Sequence, residues 1–143
     1  MAKIEKSIFI NAPVEKVFAF MAEPINQLEI WPSMLEVKNV QPLSNGGHSF
    51  DWVYKMAGLR FDGHTEMTEF VKDQRVVAKS SSGISSTFIW TYQPEEGGTR
   101  TTVNVEYSLP GKILGKISEP IIHKMNEHEG ETILANLKAR MEG

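Results

Sequence analysis

The sequence contains no cysteine among its 143 residues. Disulfides, thiolate metal sites and a cysteine nucleophile are therefore excluded, and the chain suits a reducing cytoplasm. Positive charge is not in surplus either. Lys and Arg number 15 against 18 Asp and Glu, for a net charge of −3. The lysines are scattered, so neither nucleic acid nor an anionic membrane surface is an expected partner. No apolar run is long enough for a signal peptide or a membrane-inserted span, and Glu5 places an acid early in the N-terminus.

Metal and nucleophile motifs are also missing. The four histidines are His48, His64, His123 and His128. His123 and His128 are five apart, so they do not share a helical face in the way a His-x-x-x-His pair does. His64 and Glu66 share a strand face, but that face reads as solvent. Asn45-Gly46-Gly47 reads as a turn, because no helix N-terminus follows to cradle a phosphate. Ser80-Ser81-Ser82 has no assignable base. No metal and no resident cofactor are expected.

What the chain does have is ordinary globular composition, 41% hydrophobic and 23% charged, in a length that suits one domain over 1–143. No linker, repeat or low-complexity tract interrupts it. Its most distinctive feature is a set of alternating strands whose apolar side is aromatic. Phe50, Trp52, Tyr54 and Met56 alternate with Ser49, Asp51, Val53 and Lys55. Phe88, Trp90 and Tyr92 alternate with Thr87, Ile89 and Thr91, and Val103, Val105 and Tyr107 with Thr102, Asn104 and Glu106. A period of two puts each set on one face of a sheet. With Phe61 that face gathers eight of the 13 aromatic residues, namely Phe50, Trp52, Tyr54, Phe61, Phe88, Trp90, Tyr92 and Tyr107. Such rings either fill a core or wall a pocket for an apolar or aromatic molecule.

The rest of the pattern orders the elements. Residues 3–10 read as a strand with Ile4, Ile8 and Ile10 on one side. Asn11-Ala12-Pro13 then opens a helix, with Asn11 suited to the cap and Pro13 to the first turn. Val14, Val17, Phe18 and Met21 recur at helical spacing. Glu23-Pro24 ends this helix, and a second short one runs from Ile25 to Ile30. Six strands at hairpin spacing follow, near 34–41, 48–57, 59–70, 75–82, 85–93 and 99–108, which predicts an antiparallel meander. A long helix is expected over roughly 113–141, with its start weakened by Gly115 and Pro120. It is the one element long enough to cover the aromatic face.

That helix has a firm apolar stripe of Ile133, Leu134, Leu137 and Met141. Traced back toward the N-terminus, the stripe reaches Gly130, Asn126, His123 and Ile122 and becomes small and polar, with Met125 on an adjacent face. Either the helix kinks near Gly130, or this half roofs a cavity, where water or ligand satisfies a polar group.

Several motifs resemble one family. Ile8-Phe9-Ile10-Asn11-Ala12-Pro13-Val14-Glu15-Lys16-Val17-Phe18 is similar to the strand-to-helix opening of the START-like, helix-grip superfamily. Met67-Thr68-Glu69-Phe70, Gly98-Thr99-Arg100-Thr101-Thr102-Val103 and Leu137-Lys138-Ala139-Arg140-Met141-Glu142 match it further along, so the resemblance spans essentially the whole chain. It implies an α+β fold, a seven-stranded antiparallel sheet wrapped around a long C-terminal helix, with an apolar cavity between them. The family holds lipid carriers, polyketide cyclases and chaperone co-activators, so the fold alone leaves function open.

The expectation is a domain that binds a small hydrophobic or aromatic ligand, lipid, polyketide-like or isoprenoid-like, without transforming it. Trp52, Tyr54, Phe61, Phe88, Trp90, Tyr107, Met125 and Asn126 are the expected wall. Tyr hydroxyls and the Asn126 amide would orient a polar end of the ligand. The enzyme alternative is a cyclase/dehydrase-like protein whose candidate acid–base groups are His48, Tyr54, Tyr92 and Tyr107. No acid or base pair inside the cavity is assignable from sequence. A chaperone co-activator is the third reading, and it needs an exposed apolar patch.

Overall fold

A computed structural model describes residues 2–115 and 117–143. Met1 and Lys116, which fall within the expected domain and the expected long helix, lie outside the described residues.

The chain runs β1 (Ala2–Ile10), α1 (Val14–Ala22), a 3₁₀ turn (Pro24–Asn26), α2 (Gln27–Ile30), β2 (Met34–Pro42), β3 (His48–Met56), β4 (Leu59–Val71), β5 (Arg75–Ser80), β6 (Ser86–Glu95), β7 (Gly98–Tyr107), α3 (Gly111–Leu114) and α4 (Glu119–Glu142). The strands form one antiparallel sheet in the order β1-β7-β6-β5-β4-β3-β2. The hairpin turns follow from backbone freedom at their tips. Ala57 and Gly58, between β3 and β4, both take positive φ, 52° and 79°. This is the turn geometry that matches the twist of antiparallel strands.

The alternation of apolar and polar residues is obeyed. Phe61, Thr65 and Met67 of β4 are buried, whereas Arg60, Asp62, His64, Glu66 and Thr68 are exposed. A register shift between Met67 and Glu69 then changes the parity. It turns Phe70 inward, onto the Phe18 ring at 5.2 Å. The edge strand β2 breaks register twice, between Met34 and Glu36 and between Lys38 and Gln41, and Asn39 there has φ 55°.

α4 lies against the sheet on the β1 side and against α2. Its C-terminal half is firmly held. Ile133, Leu134, Leu137 and Met141 are buried. Polar ties surround them: Asn136 donates to the Ile30 carbonyl at 2.9 Å, Lys138 to the Phe9 carbonyl at 2.9 Å, and Arg140 pairs with Glu29. Lys6 shares the inward parity of β1, where its ammonium meets Glu131 at 2.9 Å and Glu127 at 3.7 Å on α4.

Two expectations need correction. Asn11 does not cap α1: Pro13 is the N-cap and its carbonyl accepts from Lys16 and Val17. The Asn11 backbone N–H donates instead to Glu142 at 2.7 Å, so this segment is tied to the far end of α4. The C-terminal helix is also shorter than 113–141. A separate turn, α3, precedes it, and α4 begins only at Glu119, with Pro120 in its first turn. Proline lacks the N–H and the geometry for a helix interior, but it fits a first turn.

Candidate functional site

Between the sheet and α4 lies a cavity of about 130 Å³. The sheet contributes Phe50, Trp52 and Tyr54 from β3, Phe88 and Trp90 from β6, and Val103, Val105 and Tyr107 from β7. Strand periodicity places these side chains on one face, as Tyr54 and Phe61 or Trp90 and Val103 sit opposite one another in register. α4 closes the other side with Asn126, Glu129, Gly130 and Ile133, residues at i, i+3, i+4 and i+7. The polar half of the helix stripe therefore roofs the cavity, the second of its two explanations. α2 and the residue after it add Gln27 and Trp31.

The rings lock one another. Trp31 meets Phe88 edge-on at 5.3 Å between centroids and Tyr54 at 6.4 Å, and Trp52 meets Tyr54 at 6.4 Å with planes 86° apart. The Trp52 indole N–H donates to the Thr65 hydroxyl at 2.8 Å. Its ring lies flat over Gly63, where a Cβ would come within 2.1 Å of it.

Two polar stations interrupt the apolar wall. At the first, one oxygen of Glu129 accepts the Ser33 backbone N–H at 3.0 Å and the Tyr54 hydroxyl at 3.5 Å. Burial, and then the neighbouring Glu129 charge, raise the Tyr54 phenol far above its ordinary value, so it remains a hydrogen-bond donor. At the second, the Tyr107 hydroxyl lies 3.1 Å from His123 Nδ1, and the two rings stack with planes 12° apart. His123 Nε2 in turn faces Glu127 at 3.9 Å. Burial raises the Tyr107 phenol as well, opposed by the neighbouring Asn126 amide. Trp31 Nε1 and Asn126 Nδ2 are buried with no well-formed hydrogen bond among the described residues.

Six of the eight expected wall residues, Trp52, Tyr54, Phe88, Trp90, Tyr107 and Asn126, line this cavity. Phe61 and Met125 do not. Phe61 is buried further along the sheet face, at a shallow groove beside Gly83 and Pro110. Met125 is 46% exposed, one turn from the equally outward Ile121. Of the acid–base candidates, Tyr92 packs on Phe18 at 5.3 Å away from the cavity, and its phenol is raised by burial alone. His48 opens β3 and is likewise absent from the lining.

No acid or base pair was assignable to the cavity from sequence; the structure places Glu129 in its lining and sets Glu129 beside Tyr54 and His123 beside Tyr107. Trp31 and Gln27 were also missed. Glu129 was legible: it sits four residues before Ile133, on the stripe itself. On the outer face, His64 contacts Asp51 at 2.8 Å and Glu66 at 3.6 Å. Among the described residues no group of three or more His, Asp or Glu side chains is arranged to hold a metal ion. No helix there is long and apolar enough to cross a membrane.

A curved antiparallel sheet closed over a cavity by a C-terminal helix defines a START-like helix-grip protein. The chain belongs to the family described as polyketide cyclase/dehydrase and lipid transport, which matches residues 1–142. A solved structure of a protein from Thermus thermophilus is similar over 98% of this chain and 97% of its own, with 22% identity and a TM-score of 0.76. A START superfamily protein from Mycobacterium smegmatis is 14% identical over 98% of this chain and 97% of its own, with a TM-score of 0.79. The di-domain ARO/CYC protein StfQ of the steffimycin biosynthetic pathway is 15% identical, with a TM-score of 0.78. The match covers 98% of this chain and 50% of StfQ. At such identities the likeness establishes the fold. No curated protein matches the sequence.

Proposed function

We propose that this chain is a single cytoplasmic ligand-binding domain that holds a small hydrophobic or aromatic molecule between sheet and α4 without transforming it. The carrying observation is the cavity itself, walled mainly by aromatic and aliphatic side chains, with Glu129, Tyr54, Tyr107 and Asn126 among its few polar groups. Its volume of about 130 Å³ sets the scale. An engineered protein cavity of about 150 Å³ takes one benzene ring. The ligand, or the part of a lipid, polyketide-like or isoprenoid-like molecule held inside, is therefore the size of one ring or a short branched segment. The lining rings supply the area, and the Trp31 and Asn126 side chains add N–H donors beside Tyr54 and Tyr107. Titration of a one-ring apolar probe, followed by tryptophan emission from Trp31, Trp52 and Trp90, tests this. Saturable binding is expected, and its absence for every apolar probe leaves only a packed core.

One observation favours a second reading, a cyclase/dehydrase-like enzyme in the same cavity. The Tyr107 hydroxyl has a histidine partner at 3.1 Å, the arrangement a proton donor to a bound carbonyl needs. Incubation of the protein with the molecule that co-purifies with it, followed by mass analysis, separates the two. A product that disappears in Tyr107→Phe establishes the enzyme.

A further inference from the structure

We infer that the ligand is a small organic cation, an amine or ammonium group on a ring-sized apolar body, with the positive charge seated at Glu129. The inference rests on the reading that the cavity holds a ligand, and it names the class.

Glu129 is the single charged residue of the described lining. Its Oε2 accepts the two hydrogen bonds already described, whereas Oε1 has no partner among the described residues. Among those residues, no lysine, arginine or histidine lies within ion-pair distance of it. Its neighbours on α4 differ: Glu127 and Glu131 meet Lys6, and Glu142 meets Lys138 at 2.6 Å. Glu129 is half-buried, so its free oxygen is open to a cation entering the cavity and interacts with it more strongly than a fully solvated carboxylate would.

The surrounding rings favour the same sign. Trp31, Tyr54, Trp52 and Phe88 stand edge-on to one another, with interplanar angles of 60° to 89°. All four rings line the cavity, and an aromatic ring attracts an ammonium group that reaches its electron-rich face. The described lining contains no basic residue, and Glu129 would repel an anion. Carboxylate ligands such as fatty acids are thereby disfavoured, while a neutral ring gains only apolar contact.

The test uses the purified full chain and three probes of nearly one size: benzylamine in its protonated form, benzyl alcohol and benzoate. Tryptophan emission reports binding. The expected order is benzylammonium about tenfold tighter than benzyl alcohol, with benzoate weakest. In Glu129→Gln, whose amide oxygen still accepts from Ser33, the ratio of benzylammonium to benzyl alcohol affinity should fall to about one. Added salt should weaken benzylammonium alone, a readout that needs no variant. Benzyl alcohol binding as tightly as benzylammonium overturns the charge assignment while the cavity reading stands. Failure of all three probes to saturate overturns both.

Discussion

Trp52 and Gly63 stand opposite one another across β3 and β4, and the indole occupies the space a Gly63 side chain would need. The missing Cβ is thus what lets a cavity-wall ring lie flat on its own sheet. Gly63→Ala puts a methyl group 2.1 Å from Trp52 Cζ2, so the ring must leave. We expect a loss of about 1–3 kcal/mol, as for other overpacked sites, together with altered tryptophan emission and weakened probe binding. Gly111→Ala, where a Cβ meets nothing within 4 Å, is the control. Wild-type stability and emission in Gly63→Ala would show that the ring does not depend on this contact.

Anchoring and roofing by α4 should separate by mutation. Leu137 is fully buried, and Leu137→Ala should cost about 2–5 kcal/mol. Asn126 faces the cavity and packs less tightly than Leu137, so Asn126→Ala should cost far less. Denaturant midpoints in the reverse order would mean that α4 is rotated about its axis.

Carrier and enzyme predict different profiles for the two tyrosines. For a carrier, Tyr54→Phe and Tyr107→Phe each remove one neutral hydrogen bond, worth about 0.5–1.5 kcal/mol of affinity. For an enzyme relying on Tyr107, turnover should fall about 100-fold with binding kept, and His123→Gln should reproduce part of that loss. His48→Gln should change neither, because His48 is not part of the lining. Ligand titration and single-turnover assays on the same variants distinguish the profiles.

The Lys6–Glu131 pair gives a pH signature. Its hydrogen bond to Lys6 lowers the Glu131 carboxyl below its ordinary 4.5, and the same bond raises the Lys6 ammonium above 10.5. A depressed acid contributes stability above its unfolded value and loses it as pH falls through the folded one. A raised base contributes below its unfolded value and loses it as pH rises through the folded one. The pair should therefore stabilise across the neutral range and fail at both extremes. Glu131→Gln should lower the denaturant midpoint at neutral pH and low salt, with the difference fading as acid protonates the wild-type Glu131 carboxylate. A difference that persists in acid would assign the effect to packing.

Strand content was legible because β-structure is written in a two-residue period. All seven strands fall within two residues of the ranges read from sequence. The aromatic face was legible for the same reason. Phe61 and Met125 show the limit: periodicity says which face a residue takes, not how far along that face a cavity extends. Glu129 was overlooked because a glutamate in a helix is ordinarily solvated, although its place on the Ile133 stripe marked it. Trp31 carried no periodic signal at all, since its packing on Phe88 and Tyr54 joins segments distant in sequence.

The irregular edge strand β2 has a consequence for behaviour in solution. A regular free edge offers a ladder on which another molecule's strand can pair, and that is how sheets aggregate. β2 exposes Leu35 and Val40, which would favour such pairing. Its two register breaks and the left-handed Asn39, whose amide is tied to Asp51 at 2.7 Å, interrupt the row of N–H and C=O groups. Pro42, at its end, lacks an N–H altogether. An incoming strand would lose step within a few residues, so this edge of the sheet is protected from templating its own polymer.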